Sequence, residues 1–287
     1  MPLTIDPHSS PSRGAPPAGA GWSRTETIVA AAIVVCACLT IAVAWALTSG
    51  GDPSPRVAAG ASPSPSPRVS SSPSGADDRG PSETWRASRT DPVHVWIAGD
   101  SMGEQLAGAL APMLERGGAF TVSSETKTST GLCRPDFYDW SQRVRMAVRT
   151  MDPDAVVVLI GGNDTQDVND AGEWLAFGSA AWKRVYRERV ADVMESMLAG
   201  GVRRIYWVGM PICAQSWRND QLRVINGIYR SEARRHRGTR YIDAWELFSS
   251  NGVYTASGRL ADGVHFTVSG EEKLARAVTA AMARDWR

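Results

Sequence analysis

Residues 93–101 read VHVWIAGDS, an apolar run of strand length that ends in glycine, aspartate and serine. A continuous run of apolar residues, many of them β-branched or aromatic, is typical of a strand that is buried on both faces of a parallel sheet. An amphipathic stretch over Met102–Glu115 follows directly. This succession of strand, polar loop and helix predicts an α/β fold.

The same alternation continues to the end of the chain. The predicted strands are Val93–Ala98, Phe120–Ser123, Ala155–Ile160, Arg204–Val208 and Arg240–Ile242. The predicted helices are Met102–Glu115, Gln142–Thr150, Ala181–Ala199, Gln221–Arg235 and Gly270–Arg284. We therefore expect one α/β domain over residues 91–287, built on a mainly parallel five-stranded sheet. Ser269 and Glu272 form a capping-box pattern, which predicts Ser269 as the N-cap of the last helix.

Three segments of different composition precede this domain. Residues 1–26 are rich in Pro, Gly, Ala and Ser and predict a disordered tail. Residues 27–47 form an uncharged apolar run of the length that a transmembrane helix needs, and residues 48–90 read as a Pro/Ser-rich spacer. Arginines before the run favour a cytoplasmic N-terminus. We expect a single-pass protein in the cell membrane with an extracytoplasmic domain; a cleaved signal peptide is the alternative.

Charge and composition exclude several classes of protein. The chain has 31 Lys and Arg residues against 30 Asp and Glu residues, a net charge of +1, which argues against a nucleic-acid partner. The composition is that of neither a collagen-like nor a disulfide-dense chain. No His/Cys cluster or carboxylate spacing suggests metal ligands, so we expect no metal and no cofactor.

Polar residues follow the predicted strands where a parallel sheet binds its ligands, beyond the carboxyl ends of the strands. Ser101 follows the first strand and opens a helix, whose free N–H groups can stabilise negative charge. The alternative is that Asp100 or Ser101 only caps that helix. The loop after the second strand holds the small residues 128–131, and the loop after the third holds Asn163, an amide donor.

Asp262 and His265 lie three residues apart just before the last helix. A serine hydroxyl is a weak nucleophile until a base accepts its proton. Histidine is the usual base, and it needs a carboxylate to fix its tautomer. The spacing lets Asp262 and His265 form that pair locally. Together with Ser101 they predict nucleophilic catalysis by a Ser-His-Asp triad.

These motifs, taken in order, resemble the four sequence blocks of the SGNH (GDSL-type) hydrolase superfamily. The blocks are Gly99-Asp100-Ser101, Gly131, Gly161-x-Asn163-Asp164 and Asp262-x-x-His265. The stretches STGLCRPDFYDW (129–140), WVGMP (207–211) and DGVHFT (262–267) resemble an uncharacterised bacterial branch of this superfamily. Members of that branch are typically exported or membrane-anchored.

The resemblance implies a flavodoxin-like, three-layer α/β/α fold. It implies that Ser101 is the nucleophile, that His265 is the general base and then the general acid, and that Asp262 orients the imidazole. The oxyanion hole would consist of the backbone N–H groups of Ser101 and Gly131 and the side chain of Asn163.

Other polar residues near the predicted site have structural interpretations. We interpret Asp100 and Asp164 as hydrogen-bond partners of loop backbone. Cys133 and Cys213 follow the second and fourth strands. Outside the membrane a disulfide between them is chemically allowed, and two small free residues near the pocket are the alternative.

The sequence says less about the substrate, and no substrate-binding residue is assigned. Flat aromatic faces suit sugar rings, although most tryptophans pack in cores. The tryptophans near the predicted loops are Trp140, Trp174, Trp182 and Trp217. Residues 169–179 form a loop long enough for a rim or lid.

The function predicted on these grounds is that of a membrane-anchored serine esterase acting on acyl groups of cell-envelope glycans. An O-acyltransferase with the same triad, supplied by a membrane acyl-donor partner, is the first alternative. A non-catalytic glycan-binding module is the second, because fold does not imply function. The expected partners are an acylated glycan or another ester, and the membrane through the N-terminal helix.

Overall fold

The computed structural model describes residues 85–287. The predicted tail, the predicted membrane helix and most of the predicted spacer lie outside these residues. Within residues 85–287, no helix is both long enough and apolar enough to cross a bilayer.

Strands and helices alternate through the described part of the chain. The strands are β1 (Val93–Gly99), β2 (Phe120–Thr126), β3 (Ala155–Leu159), β4 (Val168–Asp170), β5 (Glu173–Leu175), β6 (Arg204–Val208), β7 (Thr239–Ile242), β8 (Ser249–Ser250) and β9 (Val253–Tyr254). The helices are α1 (Ser101–Glu115), α2 (Trp140–Met151), α3 (Ala180–Ala199), α4 (Ser216–Arg235) and α5 (Val268–Met282). The pairs β4–β5 and β8–β9 are short antiparallel hairpins.

Five of these strands form one parallel sheet in the order β2-β1-β3-β6-β7. Every residue of β3 and β6 is buried, because helices cover both faces of the sheet. Helices α1 and α5 pack together on one face, and α2, α3 and α4 pack on the other. The predicted α/β fold with a five-stranded parallel sheet is confirmed.

The strand order explains where a site can form. The chain moves from β1 to one neighbour, β2, and then back across β1 to β3 on its other side. The loops that leave β1 and β3 therefore diverge and open a crevice at the carboxyl edge of the sheet.

Two predicted helix starts are wrong. Helix α4 begins at Ser216, before the predicted Gln221, in a first turn too polar to show an apolar period. Helix α5 begins at Val268, and its N-cap is Thr267, whose side chain accepts a hydrogen bond from the Gly270 N–H. Ser269 lies in the first turn, with its hydroxyl 2.9 Å from that of Thr267. The predicted capping box therefore does not form.

The first and last described residues meet at the amino edge of the sheet. Trp85 N–H donates to the Asp285 carbonyl at 2.7 Å, and the Trp85 and Trp286 rings lie 5.0 Å apart. The guanidinium of Arg204, the first residue of β6, lies 4.6 Å from the centre of the Trp85 ring. Arg204 also forms a buried ion pair with Asp285 at 3.4 Å. These contacts fix the point where the chain enters the domain.

Candidate active site

Ser101 lies at a sharp turn between β1 and α1. A Cβ atom on Gly99 would lie 2.4 Å from the Gly103 Cα and 2.9 Å from the Leu159 carbonyl oxygen. Only glycine permits the strand to pass this close to the start of the helix. The turn leaves Ser101 half-buried, at the crevice between β1 and β3.

Ser101, His265 and Asp262 lie in one hydrogen-bonded row. The Ser101 Oγ is 2.9 Å from the His265 Nε2, and the His265 Nδ1 is 2.6 Å from the Asp262 Oδ2. An ionised carboxylate can only accept, so the Nδ1–H donates to Asp262 and Nε2 is left to accept the serine proton. The row has the geometry that a base-activated nucleophile requires.

The loop that carries Asp262 fixes its carboxylate. Its Oδ1 accepts hydrogen bonds from the backbone N–H groups of Val264 at 2.8 Å and His265 at 2.9 Å. Burial would raise the pKa of Asp262, but the hydrogen bonds from the His265 ring and from these N–H groups outweigh it and lower the pKa to about 2. Gly263 adopts φ +70, and a Cβ there would lie 2.2 Å from the Ala214 Cβ. Asp262 is therefore ionised at neutral pH.

The three predicted oxyanion donors lie in the loops after β1, β2 and β3. Within residues 85–287, neither the Ser101 N–H nor the Gly131 N–H has a hydrogen-bond acceptor. The Asn163 Nδ2 donates to the Thr130 carbonyl at 2.9 Å, which fixes the amide and leaves its second hydrogen free. The loops after β1, β2 and β3 thus each supply one donor that developing negative charge could use.

Asp164 holds the Gly131 loop in place through hydrogen bonds. Its two carboxylate oxygens accept from the Leu132 N–H at 2.9 Å and the Cys133 N–H at 2.8 Å. It also accepts from the Tyr186 hydroxyl at 2.8 Å. A Cβ on Gly131 would lie 2.0 Å from the Asp164 Oδ1, so the loop reaches its position only with glycine. The predicted structural role of Asp164 is confirmed.

Asp100 links the first and third loops. Its Oδ1 accepts from the Met102 N–H at 3.0 Å and caps α1, while its Oδ2 accepts from Gly161 at 3.2 Å and Gly162 at 3.1 Å. Burial raises the pKa of Asp100 to about 6, although the hydrogen bonds from these N–H groups act in the opposite direction. The predicted structural role of Asp100 is confirmed.

Gln105 is a site residue that the sequence did not reveal. Its Oε1 accepts from the Phe266 N–H at 3.0 Å, and its Nε2 donates to the Phe266 carbonyl at 2.9 Å and to Glu271 at 3.0 Å. It thereby ties α1 to the backbone next to His265. Its place one helical turn after Ser101 was the available signal.

The two cysteines of the domain do not form the bridge that the sequence allowed. Both are buried free thiols. The Cys133 Sγ lies 3.5 Å from the Asp164 carbonyl oxygen, and the Cys213 Sγ lies 3.3 Å from the Asn219 Oδ1. Each thiol is held in its own loop by a separate partner.

The tryptophans divide into core and surface residues. Trp140 and Trp182 are buried in the core, whereas Trp174 is 63% exposed and Trp217 is 65% exposed. The predicted rim segment contains the β4–β5 hairpin, on which Trp174 lies. In residues 85–287, no group of three His, Cys, Asp or Glu residues is arranged to hold a metal ion.

Similar folds occur in solved structures of esterases and hydrolases. A GDSL-like lipase from Bacteroides thetaiotaomicron aligns with a TM-score of 0.50 at 15% identity, covering 67% of this chain and 88% of the lipase. An α/β hydrolase from the metagenome of Lake Arreo aligns with a TM-score of 0.52 at 16% identity, covering 68% of this chain and 96% of the hydrolase. At this identity the likeness establishes the fold.

A comparison with curated proteins gave no match. A family model described as a protein of unknown function, DUF459, matches residues 94–281, nearly the whole folded domain. The four sequence blocks lie on the fold that the GDSL-like lipase shares. The chain therefore belongs to the DUF459 family, and its domain has the fold of the GDSL-like lipase.

Proposed function

We propose that this protein is a membrane-anchored, extracytoplasmic serine esterase that removes acyl groups, such as acetyl, from cell-envelope glycans. The observation that carries the proposal is the hydrogen-bonded row of Ser101, His265 and Asp262, with distances of 2.9 and 2.6 Å. Ester hydrolysis is also the chemistry that we carry over from the GDSL-like lipase of the same fold.

The first half of the reaction transfers the acyl group to the enzyme. The Ser101 Oγ attacks the ester carbonyl carbon while its proton passes to the His265 Nε2. Negative charge develops on the carbonyl oxygen, where the N–H groups of Ser101, Gly131 and Asn163 stabilise it. The bond to the alcohol then breaks, the alcohol oxygen takes the proton from His265, and an acyl-serine remains.

The second half regenerates the enzyme. His265 takes a proton from a water molecule, whose oxygen attacks the acyl carbon and forms a second oxyanion. The bond to Ser101 breaks, the serine oxygen recovers the proton, and the acid leaves. Throughout, the Asp262 carboxylate stabilises the imidazolium without itself accepting the proton.

Exposed aromatic side chains in segments that follow the sheet strands support a glycan as the alcohol component. Phe137 follows β2, Trp174 lies on the hairpin after β3, and Trp217 opens the helix after β6. All three are more than half exposed, at 56%, 63% and 65% respectively. Large exposed aromatic residues grouped at one edge indicate a binding surface, and their flat faces match sugar rings.

The membrane location rests on the uncharged run over residues 27–47, which has the length and composition of a membrane-spanning helix. The Pro/Ser-rich composition of residues 48–84 suits a spacer between such a helix and the domain, in which Trp85 is already packed. The proposal thus combines a catalytic domain with a tether that keeps it at the cell envelope.

The test uses the full-length chain purified in detergent and 4-nitrophenyl acetate as the substrate. We expect nitrophenol release that Ser101→Ala abolishes and that Ser124→Ala, a change at an exposed serine on β2, leaves intact. Release that survives in Ser101→Ala would refute the triad.

A second arm adds an acceptor glycan and follows the acetyl group. Free acetate that forms with or without the glycan supports the esterase. Acetyl groups that appear on the glycan in place of free acetate would show an O-acyltransferase, because the acyl-serine is then intercepted by a sugar hydroxyl and not by water. Glycan binding without any Ser101-dependent release would show a binding module.

A further inference from the structure

A small cavity adjoins the triad on the side of α4. Its wall includes Met102, Gly162 and Val264, each of which is the sequence neighbour of a triad or oxyanion residue. The side chains of Arg218 and Arg259 complete it. We call it the arginine pocket. It is narrow and partly open to solvent, and the two arginines are its only charged lining residues.

Arg259 is buried with unused hydrogen-bond donors. Only 5% of the residue is exposed, and its Nη2 donates to the Ile212 carbonyl at 2.9 Å. Its guanidinium lies 4.9 Å from the centre of the Phe248 ring and 4.7 Å from that of the Phe266 ring. The Nε and Nη1 atoms have no hydrogen-bond partner among residues 85–287. A buried cation that is only partly paired is costly, and burial lowers the pKa of this guanidinium.

Arg218 reaches the same pocket from the first turn of α4. Its Nη2 donates to the carbonyl of Gly162, next to the oxyanion residue Asn163. In the described part of the chain, no carboxylate lies within ion-pair distance of Arg218 or Arg259. The nearby Asp262 uses its oxygens for His265 and for its own loop. The pocket therefore carries positive charge that the described residues leave without an ion-pair partner.

The other deeply buried arginine of the domain shows the usual arrangement. Arg204 is 1% exposed, and it is paired with Asp285 at 3.4 Å. Buried arginines that serve only the fold are normally paired in this way. Arg259 differs in having no carboxylate partner among residues 85–287.

We propose that the arginine pocket binds a carboxylate of the ester substrate. This inference rests on the proposed esterase function and narrows its substrate class to anionic esters. The carboxylate belongs either to the acyl group, as in the half-ester of a dicarboxylic acid, or to the sugar, as in an acylated uronic acid. Guanidinium groups bind carboxylates through paired, charge-assisted hydrogen bonds, which add geometric specificity to the electrostatic attraction.

The kinetic test compares esters that differ by one charge. The acyl arm uses mono-(4-nitrophenyl) succinate against 4-nitrophenyl butyrate, which has the same chain length but ends in a methyl group. The sugar arm measures acetate release from acetylated glucuronate against acetylated glucose. We expect kcat/KM to favour the charged member of one pair by about 10-fold or more, as a hydrogen-bonded charge pair provides.

Substitution then assigns that preference to the pocket. Arg218→Met should remove it by lowering kcat/KM more for the charged ester than for the neutral one, and Arg218→Lys should restore part of the preference. Arg223→Met is the matched control, since Arg223 lies on the same helix but packs on Trp245. Arg218 carries the test because Arg259 also holds two phenylalanines in place. Equal rates on both members of each pair, or a preference that survives Arg218→Met, would overturn the proposal.

A binding measurement separates this proposal from the esterase itself. Calorimetric titration of the full-length Ser101→Ala chain uses monomethyl succinate and glucuronate as probes, with methyl butyrate and glucose as neutral counterparts. Binding of a charged probe that Arg218→Met weakens about 10-fold supports the pocket even where no ester is hydrolysed. Hydrolysis of neutral esters without any binding of the charged probes would refute the pocket and leave the esterase standing.

Discussion

Gln105 holds the backbone of Phe266 from both sides, accepting from its N–H at 3.0 Å and donating to its carbonyl at 2.9 Å. The side chain therefore connects the helix that begins with Ser101 to the loop that ends with His265. A distance between catalytic atoms that belong to different loops depends on such connections. A small change in that distance lowers the reaction rate strongly.

We expect Gln105→Ala to lower kcat by about 10- to 100-fold with little change in KM, because the nucleophile and base lose their fixed separation while the substrate surface stays intact. Gln105→Glu should recover part of the loss, since it still accepts from Phe266. Steady-state kinetics with 4-nitrophenyl acetate measure both, beside Glu104→Ala at an exposed neighbouring position. A proportional loss of thermal stability with unchanged kcat would assign Gln105 to folding alone.

Asn163→Ala should reduce kcat by about 100- to 1,000-fold and raise KM far less, because the contact of its amide strengthens as charge develops on the carbonyl oxygen. Asn163 also donates to Thr130, so the melting temperature must be measured alongside. Asn163→Asp is the matched control, because it keeps the shape and loses the donor. Full activity in Asn163→Asp would exclude the amide from the oxyanion hole.

Asp262→Asn should lower kcat on the order of 10⁴-fold, the loss known when an asparagine replaces the triad aspartate of a serine protease. The amide oxygen can still accept from Val264 and His265, so the loop keeps its shape. The amide N–H, however, stabilises the imidazole tautomer that cannot accept the serine proton. The measurement is kcat with an ester whose alcohol is a poor leaving group. Asp220→Asn, a change at an exposed site, is the control. A loss below about tenfold would mean that Asp262 does not orient His265.

Asp100 makes stability depend on pH. Its pKa is about 6 in the folded protein, against an ordinary value of 3.8, so the folded state holds the proton more tightly. Stability from this group is fully present below about pH 4 and is lost as the pH rises through 6. The loss amounts to about 3 kcal/mol of unfolding free energy.

Urea unfolding of the wild type and of Asp100→Asn between pH 4 and about pH 7 isolates this effect, because carboxylates that do not interact with Asp100 contribute equally to both chains. We expect the difference between the two unfolding free energies to change over that range in favour of Asp100→Asn. A difference that stays constant with pH would show that Asp100 titrates normally.

The sequence predicted those parts of the site that depend on neighbours along the chain. Asp262 and His265 are three residues apart and pair within one loop. Apart from His94, the strand over residues 93–99 is apolar, so its burial between two helical layers could be inferred directly. The meeting of Ser101 with His265 was implied by the resemblance and by the rule that loops gather at one edge of a parallel sheet.

The missed features depend on contacts between distant segments. Strand β2 continues to Thr126, three residues beyond its predicted end. Residues 124–126 are polar, so no apolar pattern marks them as part of a strand. They belong to β2, an edge strand of the sheet, because they pair with β1. Thr267 and Ser269 are equally suitable caps in isolation, and the observed helix start selects Thr267. Arg259 meets Ile212 and Phe248 only in the folded chain, so no local pattern marks it as a buried cation.

The stacking of Trp85 on Trp286 also fixes the edge of the domain at which the preceding part of the chain joins it. That contact lies at the amino edge of the sheet, whereas Ser101 lies at the carboxyl edge, about 20 Å away along β1. A tether of the proposed kind would therefore join the domain at the edge opposite the crevice and leave the approach to Ser101 open to large substrates.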